Sequence, residues 1–195
     1  MKDVCNNTSG GGNIGSWVDP GMCLAAANPL RSVTFVANHD TDEITADKML
    51  AYAFILTYQG YPCIWYKDYF DYGLANGGGN GGNTAGNGIN RLVHIRGKYG
   101  GAGPTIHLLY VDSDVLIYQE NNPANIGYVV GINDATTTKS VTIYTRFKST
   151  TLTNFAWGST VSGYNNPAGA STDGNGSFTI SLPPRGYRVY VPTGY

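Results

Sequence analysis

A chain of 195 residues with 42% hydrophobic side chains has ample material for a packed core, in one large domain or two small ones. Its 12 basic and 13 acidic residues nearly cancel to a net charge of −1, and no run of Lys or Arg stands out. This excludes the concentrated basic patch that a nucleic acid or an anionic membrane surface requires, and no apolar run approaches the roughly 20 residues of a membrane span.

The opening "MKDVCNNTSGGG" has no apolar centre and does not read as a signal peptide. Cys5, Cys23 and Cys63 allow one bridge, Cys5–Cys23 by proximity, or three buried thiols; their spacing fits no zinc site. Sequons at Asn6, Asn7 and Asn175 matter only in a eukaryotic secretory host. Arg31 to Ala37, "RSVTFVA", then predicts a short strand. Asp47 to Tyr58, "DKMLAYAFILTY", predicts a helix with Thr45 as N-cap and Gly60 as its stop. That helix is apolar around most of its circumference and must be covered on more than one side. "YPCIWY", Tyr61 to Tyr66, predicts a second buried strand, and a strand–helix–strand unit of this kind points to parallel pairing.

Ala75 to Gly88, "ANGGGNGGNTAGNG", lacks the Gly-Lys-Ser/Thr ending of a phosphate-binding loop and reads as a flexible connection. A helix follows from Ile89. From Thr105 onward short β-favouring runs alternate with turn residues, and Phe178, Ile180 and Leu182 alternate with Thr179 and Ser181. Six to eight such strands close most naturally as an antiparallel sandwich. The expected fold class is therefore α/β plus all-β, with an α/β portion over residues 1–100 and a sandwich over 101–195. Two parallel strands and one or two helices cannot close a sheet by themselves, so unpaired edges and bare apolar surface are expected in the first portion.

The chemistry concentrates in "SVTFVANHDTDE", Ser32 to Glu43. A strand ends in Asn38, His39 and Asp40, which sets a donor imidazole beside an acceptor carboxylate. The plainer alternative is that Asn38 and Asp40 cap the next helix. "RSVTFVANHDT" and "AYAFILTYQGYPCIWYKDYFDYGL" resemble the C-terminal third of the α-amylase family of glycoside hydrolases, whose Phe-x-x-Asn-His-Asp motif stands here as Phe35 to Asp40. The resemblance implies a partial (β/α)8-barrel segment followed by the sandwich called domain C. It implies that Asp40 is the third catalytic carboxylate, a transition-state stabiliser, and that His39 and Asn38 contact substrate. It implies an α-glucan partner, such as starch or a maltooligosaccharide, and an extracellular parent enzyme.

The same resemblance places the nucleophile and the acid/base on earlier barrel strands, before the first residue of this chain. The only glutamates here are Glu43 and Glu120, neither in a matching motif. The expectation is an inactive C-terminal fragment, with the family's calcium ligands also upstream and no cofactor or metal within the chain. Further expectations are association with the missing barrel portion or with a second copy. The alternative is a non-catalytic glucan-binding module, with Trp157, Tyr164 and Tyr128 as platforms. A purely structural role would tuck the Trp17 and Met22 region against the sandwich. Trp65 and Tyr66 are expected to fill the barrel core, with lining of the cleft floor as the alternative. Arg91 and Arg96 are expected to form ion pairs, and His94 and His107 to be structural.

Overall fold

The computed structural model describes residues 1–100, 105–121, 126–164 and 168–194. The expected division at 100–101 meets residues outside that set. The first part carries α1 (Lys2–Asn6), α2 (Leu24–Ala27), β1 (Val33–Phe35), α3 (Lys48–Thr57), β2 (Tyr61–Cys63), β3 (Ala85–Gly86) and α4 (Ile89–Tyr99). The second carries β4 (Ile106–Val111), β5 (Val115–Glu120), β6 (Val129–Asn133), β7 (Lys139–Tyr144), β8 (Thr151–Ser159), β9 (Ala170–Ser171), β10 (Ser177–Leu182) and β11 (Gly186–Pro192).

β1 and β2 pair in parallel, with Val33 opposite Tyr61 and Phe35 opposite Cys63, and among the described residues no third strand joins them. They are shorter than their apolar runs, because without neighbours the flanking residues have no ladder to enter. They are also not buried. Val33 is 64% exposed and Tyr61 46%, and Met22, Leu24, Leu30, Tyr66 and Phe70 add to this bare apolar surface. Trp65 and Tyr66 fill no core: Tyr66 lies in the open against Phe70, with ring centroids 4.6 Å apart.

The sandwich is built from an antiparallel sheet ordered β3-β8-β11-β6-β5-β4, with β9 beside β8, and a second sheet of β7 and β10. The larger sheet is covered on both faces. Val115 and Ile117 of β5 pack with Ile143, Phe178 and Ile180 of the smaller sheet. Leu116 and Tyr118 point the other way, into the core shared with α3 and α4. This double cover explains why every residue of β5 is buried and why its sequence does not alternate between apolar and polar.

All ten residues of α3 are buried, as its all-round apolar pattern requires. Its N-cap is Asp47 in a left-handed conformation (φ 49°), not Thr45. Inside the helix, Lys48 Nζ donates to Asp68 Oδ1 (2.6 Å) and to Glu43 Oε1 (3.2 Å), and Tyr52 donates to Asp68 Oδ2 (2.6 Å). Two buried charges thus leave water only as a paired, hydrogen-bonded set.

Arg96 and Arg91 form no ion pairs among the described residues. Arg96 donates to the Tyr58 and Gly60 carbonyls, satisfying chain ends just past α3. Arg91 donates to the Phe155 carbonyl. Trp17 packs on Phe54 of α3 and Met22 is 73% exposed; the segment reaches the sandwich through Ile14, whose N–H donates to the Ser113 carbonyl at 2.9 Å. Cys5, Cys23 and Cys63 are all free; Cys5 is buried and Cys63 exposed, which matches neither the single bridge nor three buried thiols. Burial raises the Cys5 thiol to about 12, so it stays protonated and inert.

Candidate functional site

The turn after β1 is organised by a carboxamide. Asn38 Oδ1 accepts the backbone N–H groups of Asp40 and Thr41, each at 2.9 Å. This closes a local turn rather than capping α3, which begins ten residues beyond Asn38 at Lys48. His39 and Asp40 are thereby presented to solvent, with side chains 86% and 78% exposed and His39 Nε2 3.3 Å from Asp40 Oδ2. The three expected site residues are therefore brought together, the first as scaffold and the other two as the exposed pair.

The rest of the segment is pinned from both sides. Lys2 of α1 pairs with Asp42 at 2.8 Å, and this bond holds the Asp42 carboxyl below its ordinary range. Asn6 Oδ1 accepts the N–H groups of Thr45 (2.8 Å) and Ala46 (3.2 Å). Glu43 is lowered first by a Tyr72 hydroxyl and then by Lys48, with Lys67 3.9 Å away. The two acids that follow Asp40 are thus each paired with a lysine. None of these anchors was visible as a pattern, because the contacts join residues up to 40 positions apart.

A cavity of about 790 Å³ lies beside the turn, lined by the faces of β1, α2 and α3 and by Thr41 and Asp42. It is the hollow left by the open sheet. Among the described residues no group of three or more His, Cys, Asp or Glu could hold a metal ion. Among the described residues no helix is long and apolar enough to cross a membrane.

No family model matches the chain. Over 56 residues it is 53% identical to an α-amylase of Geobacillus stearothermophilus, covering 24% of this chain and 10% of that protein. Over 79 residues it is 35% identical to the α-amylase type B isozyme of Hordeum vulgare, covering 37% of this chain and 44% of the relative. Over these stretches the chain is similar to α-amylases. The α-amylase of Malbranchea cinnamomea has the same fold over 99% of this chain, with a TM-score of 0.66 at 15% identity. A variant of AmyP, solved with maltotriose, matches 98% with a TM-score of 0.66 at 14% identity. The chain spans less than half the length of each of these relatives, between 10% and 48%.

Of the three aromatic platforms expected on the sandwich, two are closed off. Tyr128 and Trp157 are buried, Tyr128 donating to the Thr57 carbonyl at 2.8 Å, and Tyr164 bonds Thr138 at 2.8 Å. Stacking on a sugar needs an open aromatic face, so the first two drop out. His94 stacks on Phe155 and His107 lies exposed on β4, neither within a metal-binding group.

Proposed function

We propose that this chain forms the part of an α-1,4-glucan-cleaving glycoside hydrolase that carries the sugar-contacting turn Asn38–Asp40. The observation behind this reading is the exposed His39–Asp40 pair at 3.3 Å, on a carboxamide-built turn after a parallel strand. Loops at the C-terminal ends of parallel strands are where α/β folds gather their binding groups. In this reading Asp40 accepts from sugar hydroxyls and favours the positively charged, oxocarbenium-like transition state. His39 donates to the same sugar, and Asn38 holds both in place. No proton moves to or from Asp40.

Retaining hydrolysis needs two carboxylates about 5–5.5 Å apart. The residues present supply one free acid at this turn, Asp42 and Glu43 being tied to lysines and Glu120 buried in β5. Losing a nucleophile and a general acid removes several orders of magnitude in rate. The 195 residues incubated with soluble starch are therefore expected to release no reducing sugar above the buffer control. Hydrolysis with retained anomeric configuration would overturn this assignment. The bare apolar face around β1 and β2 supports association with further barrel elements or with a second copy.

A further inference from the structure

The Gly-rich connection is not a slack loop. Asn83 N–H donates to the Gly77 carbonyl at 2.6 Å and Thr84 N–H to the Ser159 carbonyl at 2.9 Å. A Cβ on Gly79 would stand 1.7 Å from the Tyr72 carbonyl oxygen, and one on Gly88 2.1 Å from the Gly77 nitrogen. Only glycine permits this closure, Gly79 also having φ 85°. The two ends of the loop meet, and Asn76 comes to line a cavity of about 300 Å³ with Asn87, Asn90, Arg91 and His94.

The hydrogen bonding of that lining is one-sided. All three carboxamide oxygens are taken: Asn76 Oδ1 by Asn90 Nδ2 (3.3 Å), Asn90 Oδ1 by the Tyr69 hydroxyl (2.5 Å), and Asn87 Oδ1 by the Trp157 N–H (3.2 Å). Among the described residues, Asn76 Nδ2, Asn87 Nδ2 and both terminal nitrogens of Arg91 have no protein partner. No carboxylate lines the cavity, and the first turn of α4 contains none. Arg91 lies 3.9 Å over the Phe155 ring and donates Nε to the Phe155 carbonyl, which fixes the plane of its fork. His94 stacks on the same ring at 5.4 Å.

Side chains whose amide oxygens are already engaged and whose donors are open favour an oxyanion over a neutral hydroxyl. We propose that this cavity binds a phosphoryl group, either free phosphate or the phosphate of a sugar ester. The planar fork engages two oxygens and the two further amide donors suit a third, which a phosphoryl group has and a carboxylate lacks. The site is lined by none of the residues of the Asn38–Asp40 turn and does not rest on the sugar reading there.

Calorimetric titration of the full chain tests it, with inorganic phosphate, glucose 6-phosphate, acetate and glucose as separate arms. Phosphate and glucose 6-phosphate are expected to bind and to displace each other, the tighter of the two naming the source. Asn76→Asp keeps the bond from Asn90 while adding a negative charge, and should weaken phosphate binding at least tenfold with an unchanged unfolding midpoint. Arg91→Lys keeps the charge but loses the fork, and should weaken it several-fold. No phosphate binding, acetate as tight as phosphate, glucose as tight as its phosphate, or full affinity in Asn76→Asp would each overturn the proposal.

Discussion

Replacing Arg185 with leucine is expected to destabilise the chain by about 3–5 kcal/mol, the usual cost of breaking a buried ion pair from one side. Arg185 is 2% exposed, and its guanidinium joins four segments. It pairs with Asp47, donates to the Asp134 carbonyl at 2.6 Å, and donates to the carbonyls of Val4 (3.0 Å) and Cys5 (2.8 Å). Leucine fills part of the space but leaves three buried carbonyls short of a donor and Asp47 without its cation. Burial already raises the Asp47 carboxyl, with Arg185 working against that rise. The loss should be readable as a lower urea midpoint with an unchanged slope. It should also free α1, and with it the Lys2–Asp42 and Asn6–Thr45 bonds that pin the candidate site, so amide exchange in 1–8 and 40–47 should quicken. Asp47→Asn added to Arg185→Leu should recover part of the deficit by removing the orphaned charge. A cost under about 1 kcal/mol would show that the guanidinium is not the tie between these segments.

The second large effect depends on pH. Asp134 is fully buried and both of its carboxylate oxygens lack a hydrogen-bond partner, although Arg185 is close by. Burial is the main cause that pushes its carboxyl up to about 6; Arg185 opposes the rise, and Asp114 and Asp112 add to it. A carboxyl whose native value lies above its unfolded value favours folding while it keeps its proton. That contribution is full below the unfolded value of 3.8 and is lost as the pH climbs through about 6. A gap of about two pH units corresponds to something on the order of 2–3 kcal/mol. Asp134→Asn carries no charge at any pH. The variant should therefore gain on the parent, in unfolding free energy, by roughly that amount between pH 4 and pH 7. Comparing the two proteins cancels the other titrating groups they share. A difference that stays flat over this range would show that Asp134 is not the group that pays the cost of ionising.

Much of the architecture could be read from periodicity. α3 was legible because a ten-residue run with apolar groups on every side has no stable place except between two layers, and it lies there with every residue buried. β10 was legible through its strict alternation. β8, the longest strand, was not. Its inward positions include Leu152 and Ala156 but also Asn154, so its apolar signal is thin, and its partners in β11 supply the ordering. The Gly-rich connection misled because glycine content alone cannot separate a slack linker from a loop whose backbone must pass within contact of itself.

The candidate site divides in the same way. Asn38, His39 and Asp40 are adjacent in sequence and at the end of a strand, so their convergence could be foreseen. Their supports could not, since Lys2, Asn6, Lys48 and Asp68 reach them only through tertiary folding. Arg185 follows two prolines in an unremarkable turn, with a left-handed φ of 43°. Nothing in that tripeptide announces a residue that holds the N-terminal helix to the sandwich. The aromatic platforms failed for a related reason: Tyr128 and Trp157 are of the right type, but a sheet covered on both faces leaves them no open side.

The sugar-contacting role of the exposed pair is best tested by titrating the isotopically labelled chain with maltohexaose and following the His39 imidazole and the amides of residues 38–41 by NMR. Saturable shifts centred on those residues, absent in Asp40→Asn, are the expected result. Saturable shifts elsewhere with none at His39, or identical binding by Asp40→Asn, would contradict it.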